Sequence, residues 1–188
     1  MRKRLTELMA VMDETRGALM ATVAGAGGAF ASVRPREDAW SVTEILAHLA
    51  LVEAGVARLV GGSVSWARKS GVPPETSDES ILACLDQYQL TSRNRKMKAP
   101  AMVDVGAGAN MADAVKSLER SRADLRKALV EGDGLDLESV TRPHARLGEI
   151  NLYQWVLFVA QHEERHRQQI EQTLRDVTGR AAECAPIV

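Results

Sequence analysis

Leu152-Tyr153-Gln154-Trp155-Val156-Leu157-Phe158-Val159-Ala160-Gln161-His162-Glu163-Glu164-Arg165-His166-Arg167-Gln168-Gln169-Ile170 carries a stripe of Leu152, Trp155, Val159, His162, His166 and Ile170, extended by Leu174. Intervals of three and four residues place these side chains on one face of an α-helix. Asn151 stands where a helix N-cap is expected, so the spacing predicts a helix from there to about Arg175. One apolar stripe on a helix this long must be covered by other helices.

Working outward, the same periodicity recurs three times. Leu5, Leu8, Met9, Met12, Leu19 and Val23 predict a helix over 3–24, ended by Gly25 to Gly28. Ser41, followed three positions later by Glu44, forms a capping-box pattern. The stripe after it, Val42, Ile45, Leu49, Val52, Val56 and Leu59, predicts a second helix running to Gly61-Gly62. Ala114, Val115, Leu118, Leu125 and Leu129 predict a third over about 111–130, with Arg122 among the charges on its other faces.

Between helices two and three the periodicity weakens. A short helix is expected near 78–92, then the basic run Arg93-Asn94-Arg95-Lys96-Met97-Lys98. Pro143, His144 and Gly148 read as a loop, and strand signals are weak throughout. The fold expected is all-α: an antiparallel four-helix bundle in one domain over 1–188, with a long irregular connection between helices two and three and a flexible tail over 178–188.

Composition narrows the function. Twenty-four Lys and Arg against 25 Asp and Glu give a net charge of −1, and seven aromatics are too few for interleaved base-stacking, so nucleic acid is not an expected partner. Glu7, Asp13, Glu14 and Arg16 break the resemblance of the first residues to a secretion signal, and no membrane span is expected. Cys84 and Cys184 belong to no metal-binding or redox spacing, which fits incidental thiols in a reducing cytoplasm.

The four histidines, His48, His144, His162 and His166, are the informative residues. His162 and His166 leave one helix face a turn apart and interrupt a stripe that should face the core, while His48 borders the inner stripe of helix two. A buried imidazole needs a hydrogen-bond or metal partner, and three neutral imidazoles on facing helices make an open site for a divalent ion such as zinc or nickel. Satisfied core histidines are the alternative reading of the same pattern.

Trp40-Ser41-Val42-Thr43-Glu44-Ile45-Leu46-Ala47-His48-Leu49 resembles the start of helix two in the DinB/YfiT-like helical bundles. His144-Ala145-Arg146-Leu147-Gly148, Tyr153-Gln154-Trp155 and Gln161 to Ile170 resemble that family's closing signature. The resemblance spans nearly the whole chain. It implies a four-helix bundle with one divalent metal bound by three histidines, here His48, His162 and His166, often in a homodimer. It further implies a thiol-dependent S-transferase, or a related isomerase or hydrolase, acting on a small-molecule thiol and an electrophile. The catalytic residues are not assigned by it. A non-catalytic, stress-associated metal-binding module and a metal-free interaction protein are the other readings.

Four further positions carry expectations. His144 reads as a structural or surface residue, and Glu44 as a cap that could also orient His48. Glu53 projects about 140° from His48 and cannot share its ligand face, although it fits the family pattern. Glu163, turned about 100° from His162, reads as a solvated charge. Trp40 and Trp155 are expected in the core or a pocket wall, and the Arg93 to Lys98 run against a substrate carboxylate.

Overall fold

Side-chain caps set the helix starts. Ser41 accepts a hydrogen bond from the Glu44 amide at 3.3 Å while the Glu44 carboxylate accepts from the Ser41 amide at 2.9 Å, the reciprocal capping box that opens α2. Asn110 accepts from the amides of Ala112 and Asp113 to open α3, and Asn151 and Gln154 exchange two 2.9 Å bonds at the start of α4. The computed structural model describes residues 1–25, 30–93 and 110–183, with side chains through Gly179. Over these residues the elements are α1 (Lys3–Ala24), α2 (Val42–Lys69), α3 (Met111–Glu131), β1 (Thr141–His144), β2 (Gly148–Asn151) and α4 (Leu152–Glu183).

Four long helices form the bundle, α2 packed most extensively on α3, and α4 on α1 and α2. Apolar stripes close two cores. One, around Leu8, Met12, Val60, Leu125, Leu129 and Val156, fills one half. The other, around Leu19, Ile45, Leu46, Leu118 and Ile170, fills the half that carries the histidines. Helix α2 is long and apolar enough to cross a membrane by length and composition, but half of its most apolar 18-residue stretch is buried inside the bundle. Its inward carboxylates and imidazole serve protein contacts, as expected of a core helix.

The structure corrects the sequence reading at several points. Helix α2 does not stop at Gly61-Gly62 but continues two turns to Lys69. Gly61 faces α3, where a Cβ would meet that of Ala128 at an ordinary contact distance of 3.7 Å, and Val64 and Ala67 prolong the buried stripe. The helix expected near 78–92 reduces to a 3-10 turn, Asp86–Tyr88, held by buried Ile81 and Leu85 and ended by Gln89 in the left-handed region at φ 47°. The expected loop at 143–148 is an antiparallel hairpin in which Arg142 pairs with Ile150 and Pro143 with Glu149. Four-residue strands are too short for alternation to announce them. The final helix outlasts Arg175 and stays helical through Glu183, so the expected tail does not begin at 178, and residues 184–188, with Cys184, lie outside the described residues.

Candidate metal centre

His48 lies two turns into α2, and His162 and His166 lie in the middle of α4, so the α2–α4 contact brings the three rings together. His162 Nε2 is 3.4 Å from His48 Nε2 and 3.1 Å from His166 Nε2, and one nitrogen from each ring falls within 4.8 Å of the others. Two imidazole nitrogens bound to one ion at about 2.0–2.1 Å stand about 2.9 Å apart at right angles and about 3.4 Å apart at tetrahedral angles. The measured 3.1 and 3.4 Å fall in that interval. With the His48–His166 pair within 4.8 Å, the three rings are placed to converge on a divalent ion of the zinc and nickel class by a small closing movement of that pair.

Electrostatics favour the ligating form. Burial, and then the neighbouring charges of His166 and His48, hold the His162 imidazole well below its ordinary value. Burial and the charge of His48 push His166 down to about 3, against the opposing effect of the hydrogen bond it donates to Gln169. Both rings are thus neutral at physiological pH, with a lone pair to offer. His166 Nδ1 lies 2.9 Å from Gln169 Oε1, so its N–H donates there and its lone pair is at Nε2, on the side of the other histidines. Gln169→Leu removes that orienting acceptor and is expected to weaken zinc binding about 10- to 100-fold, read by competition with a chromophoric chelator.

Aromatic rings wall the site. Trp40 lies 4.8 Å from His48 and 6.5 Å from His166, centroid to centroid, and Phe158 stacks on His162 at 5.3 Å. His48 and His166 are buried, whereas His162 keeps partial exposure. His144 stands apart from the three. Its ring packs against Trp155 and Phe158, and its Nδ1 accepts from the amides of Arg146 and Leu147, a structural role that matches the expectation. Glu44 caps α2 and pairs with Arg34. Trp40 walls the site and Trp155 packs in the core beside His144, both within the expected roles; Phe158 and Gln169 were not singled out by sequence.

Glu163 overturns the expectation of a solvated charge. Its side chain is 2% exposed and meets Arg16 from α1 and, at 2.6 Å, Arg122 from α3. Glu53 from α2, also 2% exposed, bonds the same two guanidiniums at 2.8 and 2.5 Å and accepts from Ser121 at 2.7 Å. Each helix contributes one charge to a quartet of zero net charge beside the histidines, in which Glu53, Arg122 and Glu163 are buried and Arg16 is partly exposed. Arg122 thus faces inward, not outward as the sequence reading had it. Of the basic run expected against a substrate, Arg93 is described, and Asn94 to Lys98 lie outside the described residues.

Comparison with known proteins agrees with this architecture. A family model of the DinB superfamily matches residues 12–170. The uncharacterized protein YuaE of Bacillus subtilis (strain 168) is 25% identical over 168 residues, covering 87% of this chain and 95% of its own. A crystal structure of TT2238, a four-helix bundle protein, superposes with a TM-score of 0.61 at 22% identity, covering 89% of this chain and 98% of that one. The second likeness bears on the fold alone.

Proposed function

The chain belongs to the DinB superfamily, and from that premise we propose that it is a metal-dependent enzyme, a thiol-dependent S-transferase or a related isomerase or hydrolase, with His48, His162 and His166 as the metal ligands. The observation that carries this reading is the convergence of three imidazoles, two of them held neutral by burial and positive neighbours, on one point between α2 and α4. A divalent ion bound there supplies Lewis acidity, which eases loss of the proton from a thiol or water. The chain supplies the rest. Gln169 fixes the tautomer of His166, Trp40 and Phe158 keep bulk water from two sides, and the partly exposed edge of His162 leaves a side for substrate. The setting proposed is a cytoplasmic homodimer acting on a small-molecule thiol and an electrophile.

The near-complete burial of His48 and His166 favours a second reading, in which the ion mainly braces the bundle and no turnover occurs. Conjugation of common bacterial thiols to a chromogenic electrophile, with zinc- and nickel-loaded wild type against His48→Ala, separates the two. The enzyme reading expects turnover that is lost in the variant. Turnover absent from the wild type while a chelator lowers its melting temperature favours the bracing ion. No metal uptake at all refutes both.

A further inference from the structure

The charged quartet and the histidines meet at one small void to which all four long helices contribute. It measures about 10 Å³, and its wall carries Arg16, Glu53, His162 and Glu163 together with apolar side chains that include Val52 and Val159. A buried water needs roughly 10–15 Å³ and two to four polar partners. The void reaches the lower end of that size and offers four polar side chains.

The hydrogen bonds of the two carboxylates leave room for such a water. An ionised carboxylate has about four acceptor positions. Glu53 uses three, with Arg122 at 2.5 Å on Oε1 and with Arg16 at 2.8 Å and Ser121 at 2.7 Å on Oε2. Glu163 also uses three, with Arg16 on Oε1 and with Arg122 at 2.6 Å and Thr15 at 3.2 Å on Oε2. On each, the less occupied oxygen is Oε1. Water has two hydrogens to donate, one for each carboxylate.

His162 brings the complementary need. Among the described residues, both hydrogen bonds of its ring are at Nε2, which turns toward His48 and His166. When Nε2 holds an ion, the proton of the neutral ring is on Nδ1, and a metal-bound imidazole donates that N–H to a carboxylate, a carbonyl or water. For His166 the acceptor is Gln169. For His162 no side chain among the described residues takes that place, and the ring stands on the wall of the void.

We infer that one buried water fills this void, accepting from His162 Nδ1–H and donating to Glu53 and Glu163, so that the quartet is the outer support of the metal centre. Glu53 and Glu163 are positioning residues: they hold the water, the water holds the ring, and the ring presents Nε2. Leucine or valine in their place would leave the N–H and the water without acceptors. The inference rests on the ligand assignment above.

Two substitutions at Val159 separate this role from packing. Val159→Ile extends the apolar wall into the void by one methylene and displaces the water, whereas Val159→Ala widens the void and keeps it. Zinc affinity, read by competition with a chromophoric chelator, should fall about 10-fold or more in Val159→Ile with the helical circular dichroism unchanged. In Val159→Ala it should stay within about twofold of wild type, although the metal-free protein melts lower. Val52→Ile fills the void from α2 and should behave as Val159→Ile does, and it decides if that variant fails to fold. A crystal structure of the zinc-loaded wild type should show a water within about 3.2 Å of His162 Nδ1 and of both carboxylates. Zinc affinity that merely follows melting temperature across the variants, or no water joining His162 to the carboxylates, would overturn the bridge. Wild type that takes up no zinc would overturn the ligand assignment itself, and the supporting role of the quartet with it.

Discussion

His162→Ala is expected to reduce bound divalent metal from about one ion per chain to below about 0.2 after reloading with zinc or nickel. His162 is the middle of the cluster: its Nε2 is the atom within 3.4 Å of His48 and 3.1 Å of His166, so its removal leaves two imidazoles on different helices with nothing between them. Metal-linked stability should vanish with it. A ligand that binds only the folded state adds about 2.7 kcal/mol at a hundred times its dissociation constant, so wild type should melt higher with zinc while the variant should not respond. His144→Ala serves as the internal control, because that ring packs on Trp155 and Phe158 outside the cluster, and it should retain its metal. Equal retention in both variants, measured by elemental analysis of dialysed protein, would refute the ligand assignment.

The histidines could be read from sequence because they violate a pattern: polar rings on an apolar stripe demand a reason, and spacing alone puts His162 and His166 on one face. Helix starts were equally legible, since Ser41 and Asn151 announce themselves by residue type and by the partner three positions on. Helix ends were not. Gly61 and Gly62 look like a stop, yet only the position of α3 shows that the first of them faces Ala128. The hairpin escaped because four residues contain too little alternation, and because its pairing depends on Pro143 and Glu149 meeting across a turn.

The charged quartet was half legible. Arg16 falls on the stripe of Leu5, Leu8, Met12 and Leu19, Glu53 on that of Leu49 and Val56, and Arg122 on that of Leu118, Leu125 and Leu129, each at intervals of three or four. The signal was therefore present one helix at a time. What no single helix could reveal is that the four charges lie at one level of the bundle and cancel. Glu163 was misread because an angular offset of about 100° from a ligand face means solvent for a helix with one neighbour. Helix α4 has α1 as well as α2 against it, so that direction is interior.

That quartet carries the second large effect. Arg122→Met is expected to destabilise the fold by about 3–5 kcal/mol, because it leaves two carboxylates, each 2% exposed, sharing Arg16 alone. Methionine fills much of the volume, so the loss reports charge rather than a cavity. The double variant Glu53→Gln with Arg122→Met restores neutrality with Arg16 facing Glu163, and should be less destabilised than the sum of its single variants. One turn further along α3, Arg126 makes an ion pair of similar length with Asp13, but with side chains 41% and 59% exposed. Arg126→Met should therefore change stability by less than about 0.5 kcal/mol. Urea denaturation of the four variants decides the matter: a loss at Arg122 no larger than at Arg126 would mean that the buried guanidinium is not needed to compensate the carboxylates. A large loss relieved in the double variant would place the cost in the unpaired charge. It would also explain why a bundle whose helices are otherwise sealed by leucine and valine keeps this charged quartet beside its histidines: each group is paired with the two of opposite sign.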